Sequence, residues 1–92
     1  MVKKKITILN ESGLHARPAA TLVKLASKFS SKIFLQKDSI EVSAKSIMGL
    51  MSLGAEMGSK ILIIADGEDE EDALKQIYNL FKSKFGEEGQ SI

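Results

Sequence analysis

Gly13-Leu14-His15-Ala16-Arg17-Pro18-Ala19 is the stretch on which the reading of this chain turns. It holds the only histidine and the only proline of 92 residues. Directly after it, Ala19, Leu22, Val23 and Ala26 recur at i, i+3, i+4 and i+7, one apolar face of an amphipathic helix. The stretch is therefore a loop-to-helix junction, and the histidine lies at its polar end, off the buried stripe. Backbone N–H groups in a first helical turn have no intrahelical acceptor, and the helix dipole there favours negative charge. That field disfavours imidazolium, and neutral imidazole is the nucleophilic form. A phosphoryl group accepted by His15 would lie over free amides. Pro18 costs little in a first turn, because its missing donor would be unpaired anyway. The nearest free amides are those of Ala16 and Arg17. Arg17 adds a guanidinium that matches phosphate geometry, and Gly13 permits a sharp turn or close approach. The helix starts either at Ala16, with His15 as its cap, or at Pro18, because a residue before proline is biased away from α geometry.

Outward from this junction the chain alternates strands and helices. Residues 5–8 alternate polar and apolar, Leu9 extends the run, and Ile6 and Ile8 point inward. Residues 10–14 read as loop and residues 16–28 as helix. Residues 32–36 and 40–43 read as strands joined by Lys37-Asp38-Ser39, a turn without glycine. Residues 46–53 read as a short helix, with Ser46 as cap and Gly54 as stop. Ile61-Leu62-Ile63-Ile64-Ala65 is apolar throughout and reads as a central strand, ended by Asp66-Gly67. The acidic run from Glu68 to Asp72 leads into a second long stripe of Ala73, Leu74, Ile77, Leu80 and Phe81. Lys82 and Lys84 lie at its far end, which suits the dipole. Gly86 ends this helix, and residues 87–92 are expected to be a loose tail. The order βαββαβα, with three helical stripes and one sheet, predicts an α+β two-layer open-faced sandwich with the helices on one face.

Composition bounds the function. Ninety-two residues make one small domain, residues 1–92, with no linker or repeat. A hydrophobic content of 43% and a charged content of 27% are ordinary for a globular domain. Net charge of +1 and 5% aromatic residues give no case for direct nucleic-acid binding, so a small RNA-binding module is a weak rival. One histidine and no cysteine leave no metal-ligand pattern, and no serine has the context of a hydrolase triad. No cofactor is expected. The apolar run after Lys3, Lys4 and Lys5 is too short for a signal peptide, and nothing approaches a membrane span. A cytoplasmic protein without membrane insertion is the expectation. A lone histidine at a helix end is, by position alone, most often a solvated cap.

The wider stretch Glu11-Ser12-Gly13-Leu14-His15-Ala16-Arg17-Pro18-Ala19 resembles the active-centre signature of the HPr family. These are the histidine-containing phosphocarriers of the bacterial sugar phosphotransferase system. A second stretch, Lys45-Ser46-Ile47-Met48-Gly49-Leu50-Met51-Ser52-Leu53-Gly54, resembles the regulatory serine segment of the low-GC Gram-positive type. The two motifs stand in the family's order and spacing, and the resemblance runs from about residue 4 to residue 85. It implies a four-stranded antiparallel sheet in spatial order 1-4-2-3. It also implies a non-enzymatic phosphoryl carrier. His15 would take phosphate through Nδ1 from enzyme I, which draws it from phosphoenolpyruvate, and pass it to the A domain of a sugar permease. Arg17 would stabilise charge, the Ala16 amide would contribute, and Ser12 would be a supporting contact. Ser46 would be phosphorylated by a kinase/phosphorylase, and that form would partner with the catabolite-control repressor. Thr21 and Lys24, on the first long helix, match a face that contacts partners in the family.

Ser46 is also simply a favoured cap residue, and the two roles are compatible. In the segment after it, Leu50 and Leu53 are expected in the core. Ile47, Met48 and Met51 are expected either to stay exposed as a docking patch or to be buried with them by the sheet. The acidic run at 68–72 is expected to be a solvated first turn without chemistry. A purely regulatory paralogue, which keeps the serine motif and lacks the active histidine, is the nearer rival; His15 with intact neighbours argues against it.

Overall fold

The computed structural model describes residues 1–90. Its elements follow as β1 (Val2–Thr7), α1 (Ala16–Ala26), β2 (Lys32–Lys37), β3 (Ile40–Ser43), α2 (Ile47–Ser52), β4 (Lys60–Asp66) and α3 (Glu70–Lys82). The four strands form one antiparallel sheet in the order β1-β4-β2-β3. β4 is central, pairing Ile6 with Ile61 on one side and Leu35 with Ile63 on the other. Its inward residues Ile61, Ile63 and Ala65 are buried, with Ile33 and Leu35 of β2 beside them. The helices cover this face. Ala19, Leu22 and Ala26 of α1, Leu50 of α2, and Ala73, Ile77 and Phe81 of α3 complete one core cluster with the sheet. This is the expected α+β open-faced sandwich.

β1 begins three residues earlier than the alternation of residues 5–8 suggests, because two of its extra residues, Lys3 and Lys4, are lysines that mask it. An edge strand tolerates them. Lys4 lays its ammonium 4.8 Å from the centre of the Tyr78 ring on α3, a cation–π contact that turns an apparent polar interruption into packing. β1 also ends at Thr7. Ile8 is fully buried but is held outside the ladder, by its N–H on Ser59 O at 2.9 Å and its carbonyl on Gly58 N at 2.8 Å. The glycine-free hairpin between β2 and β3 works because Asp38 takes the left-handed conformation, φ 57°. Aspartate tolerates that region better than most residues.

The acidic run is less idle than its sequence suggests. Asp69 stands at the N-cap of α3 and reaches back 38 residues. Its carboxylate accepts from the N–H groups of Ser30 and Ser31, each at 3.0 Å, and from the Ser31 hydroxyl. Glu70 accepts from Gly67 N–H at 3.0 Å and pairs with the N-terminal ammonium at 3.0 Å. These contacts tie the loop before β2 to the start of α3. The expected loose tail is also corrected at its start. Lys84–Gln90 carries short 3₁₀ turns on either side of a kink at Phe85 and Gly86. Phe85 packs edge-on against Phe81 at 5.0 Å, and Glu87 is hydrogen-bonded to Ser12. Residues 91 and 92 lie outside the described residues.

The Ser31 hydroxyl and the Ser30 amide are the main causes that hold the Asp69 carboxyl down to about 2 from an ordinary 3.8. A carboxyl depressed in the folded state stabilises the fold above its unfolded pKa, and that stability is lost as pH falls through the folded pKa. Asp69→Asn therefore lowers the melting temperature at about pH 6, and the gap to wild type closes as pH falls towards about 2. Thermal unfolding of both proteins across that range checks this; a gap of constant size would contradict it.

Candidate functional site

α1 starts at Ala16 and His15 is its N-cap, which settles the two-residue ambiguity. The His15 backbone is extended, φ −74° and ψ −174°, and its carbonyl accepts the Ala19 N–H at 2.9 Å. Its side chain makes no capping hydrogen bond and is exposed. Pro18 is the third helical residue and buried, so the first turn offers two free amides, those of Ala16 and Arg17. The pre-proline bias at Arg17 is overridden because Ala19, Leu22 and Ala26 are fully buried and anchor the helix below it. Tertiary packing outweighs a local preference of this kind. Arg17 is exposed beside His15. Its carbonyl accepts from Thr21 Oγ1 at 3.1 Å, and Thr21 and Lys24 are exposed on the same side of α1.

The loop before the helix is held from below. Gly13 has φ +64°, and a Cβ there would fall 2.5 Å from the Ala55 carbonyl oxygen, so this close approach requires glycine. Leu14 N–H bonds that same carbonyl at 3.0 Å. Asn10, only 1% exposed, donates through Nδ2 to Gly13 O at 2.8 Å and to Glu87 Oε2 at 3.2 Å. Both partners are acceptors, which fixes the amide orientation. Its Oδ1 is buried without a hydrogen-bond partner among the described residues. Ser12 donates both its N–H, at 3.3 Å, and its hydroxyl to Glu87. The Ser12 hydroxyl is the chief cause that holds the Glu87 carboxyl below its ordinary range. The Ser12 N–H, the Asn10 amide and the Arg17 guanidinium add to it, and desolvation opposes it.

Glu11, Ser12, His15, Arg17, Pro18, Phe85 and Glu87 line an open cleft of about 450 Å³. A cleft this shallow cannot enclose a substrate. It can present an imidazole, a guanidinium and two amides to a group carried on another molecule. Four of the expected site residues thus come together: Ser12, His15, Ala16 and Arg17. Asn10 and Glu87 went unread in the sequence. Asn10 looks like an ordinary loop residue, and Glu87 acts 75 residues from Ser12.

Ser46 is not in this cleft. It caps α2, its Oγ accepting from Gly49 N–H at 3.0 Å and its carbonyl from Leu50 N–H at 2.9 Å. It is half-buried. Leu50 and Leu53 are buried, whereas Ile47, Met48 and Met51 are 42%, 84% and 47% exposed, so the sheet does not cover the whole cluster. α2 packs against α1, so this apolar patch lies on the helix side of the sandwich. Among the described residues, no helix is long and apolar enough to cross a membrane.

Comparison with known proteins agrees with this geometry. The family described as "PTS HPr component phosphorylation site" matches residues 2–83. The chain is 51% identical over 88 residues to the phosphocarrier protein HPr of Treponema pallidum (strain Nichols), covering 96% of this chain and all of that one. It is 49% identical over 77 residues to the HPr-like protein Crh of Bacillus subtilis (strain 168), covering 84% and 91%. The crystal structure of HPr-C-His from Thermoanaerobacter tengcongensis superposes with a TM-score of 0.91 at 53% identity, covering 94% of this chain and 97% of that one. The match over most of the chain, these relatives and this fold agree on one group: the chain belongs to the HPr family of phosphocarrier proteins of the phosphotransferase system.

Proposed function

We propose that His15 is the transient phosphoryl acceptor of a cytoplasmic relay. Enzyme I, charged by phosphoenolpyruvate, delivers the group, and the A domain of a sugar permease takes it away. The observation that carries this reading is the exposed, uncapped His15 beside the free amides of Ala16 and Arg17. In the first transfer a ring nitrogen of His15 attacks phosphorus in line as the bond to enzyme I breaks; in the second, a nucleophile of the permease domain attacks that phosphorus as the bond to His15 breaks. Such chemistry needs positioning and charge stabilisation more than proton transfer. The Ala16 and Arg17 amides and the Arg17 guanidinium supply positive charge over the new phosphoryl oxygens. Ser12 supports the loop. The shallow cleft suits this role, since each partner brings the other half of the site.

The partner-facing surface in this reading is the α1 and α2 side: Thr21, Lys24, Ile47, Met48 and Met51. Ser46 is its switch, modified by a kinase/phosphorylase, and the modified form binds the catabolite-control repressor. A phosphate on Ser46 adds close to two negative charges. At a cap position these are tolerated by the helix and instead act on the apolar patch beside them. The Crh relatives keep a purely regulatory role in view. His15 with Arg17 beside it favours the carrier.

His15→Ala abolishes acid-labile phosphate acquired from enzyme I and phosphoenolpyruvate, while the melting temperature stays within a few degrees of wild type, since an exposed cap contributes little to packing. Intact-mass measurement before and after acid treatment reads the phosphate; undiminished labile phosphate in the variant would contradict the assignment.

Ser46→Asp keeps a good capping residue and adds a charge that must be desolvated whenever a partner covers the patch. It therefore raises the apparent KM for phosphorylation by enzyme I about tenfold, some 1.4 kcal/mol of binding, with no drop in melting temperature. Unchanged kinetics, or a loss of activity that follows a collapse in stability, would refute the docking-surface role.

A further inference from the structure

Glu87 puts an anion into the His15 cleft. Its carboxylate accepts from Ser12 N–H at 3.3 Å, from the Ser12 hydroxyl and from Asn10 Nδ2 at 3.2 Å, and it lines the same cleft as His15 and Arg17. Hydroxyl, amide and guanidinium groups are also what a phosphoryl oxygen seeks. A purely structural clamp would need only a neutral acceptor here. The carboxylate instead occupies donors of the loop that leads to His15, in the same cleft, and feels the charge of Arg17.

We propose that Glu87 is a tethered anion that occupies the donors of the active-site loop before phosphoryl transfer and, by repelling the phosphoryl group on His15, raises its tendency to be passed on. The proposal rests on His15 as the phosphoryl acceptor. The coupling is reciprocal: whatever Glu87 does to the phosphohistidine, the phosphoryl group does to the contact of Glu87 with Ser12. Phosphorylation therefore loosens that contact, and Ser12 N–H and its hydroxyl become available to the new oxygens. Across one solvent-open cleft, repulsion between like charges shifts an equilibrium by roughly threefold to tenfold. Salt screens it. Glu11, the other acidic residue lining the cleft, adds negative charge but is left unchanged in the comparison below.

Wild type, Glu87→Gln and Glu87→Asp are each equilibrated with enzyme I at a fixed ratio of phosphoenolpyruvate to pyruvate, and the phosphorylated fraction is read by intact mass. Glu87→Gln keeps an acceptor for Ser12 N–H and removes the charge. Its ratio of phosphorylated to free protein is expected to be roughly threefold to tenfold above wild type at low salt, with the gap shrinking at high salt. Glu87→Asp keeps the charge on a shorter arm and is expected to stay near wild type. Equal ratios for Gln and wild type at low salt overturn the proposal, as does an Asp variant that behaves like Gln, the mark of a merely structural role. If none of the three acquires acid-labile phosphate, the His15 reading fails. The claim about transfer from His15 falls with it, and sulfate titration followed at the Ser12 amide by NMR decides what is left, whether Glu87 occupies the loop's donors as an anion: tighter sulfate binding by Glu87→Gln upholds that, and equal binding overturns it.

Discussion

The first turn of α1 carries backbone amides that the fold does not pair, and most of the molecule is arranged so that it need not pair them. A helix end ordinarily recruits a side chain from its N-cap. Here the N-cap is His15, whose ring makes no such bond, and the third helical residue is Pro18, which has no donor to satisfy. The turn survives uncapped because the stripe of Ala19, Leu22 and Ala26 is fully buried against the sheet. Packing along the helix stabilises a first turn whose amides stay unpaired.

Holding that turn in place falls to the loop before it. Gly13 presses its backbone onto the Ala55 carbonyl, and Asn10, buried beneath, bonds both Gly13 and Glu87. The site is thus fastened to two distant parts of the chain, the segment after α2 and the segment after α3. The second small knot, Asp69 with Ser30 and Ser31, does the same for the loop between α1 and β2. Short polar clamps of this kind fix loop geometry where a chain of 92 residues has no spare core to do it.

Periodicity made α1 and α3 legible, since each buries one face in a regular rhythm, and the unbroken apolar run of residues 61–65 did the same for β4. β1 was only half legible. Its lysines mask it as a polar stretch until Tyr78, 74 residues on, supplies a surface for Lys4. The strand order followed from the resemblance of the two motifs and not from spacing: the unbroken apolar run of β4 marks it as interior, but no local pattern says which strands flank it. His15, Arg17 and Ser46 were readable because each sits at a helix start that the sequence marks. Asn10 and Glu87 were not, since a buried asparagine and a clamping glutamate look like loop and tail residues until the fold brings them together. The acidic run read as solvated for the same reason, before Asp69 met Ser31.

The central claim is that phosphate settles on His15 over the free amides of Ala16 and Arg17 without disturbing the core. Phosphorus and ¹⁵N NMR of the protein charged by enzyme I tests it most directly. The account predicts a phosphorus signal coupled to the His15 ring, with amide shifts concentrated at Ala16, Arg17 and Ser12 and the β4 amides unmoved. A phosphorus signal coupled to another residue, or His15 phosphorylation that leaves the Ala16 and Arg17 amides in place, would contradict it.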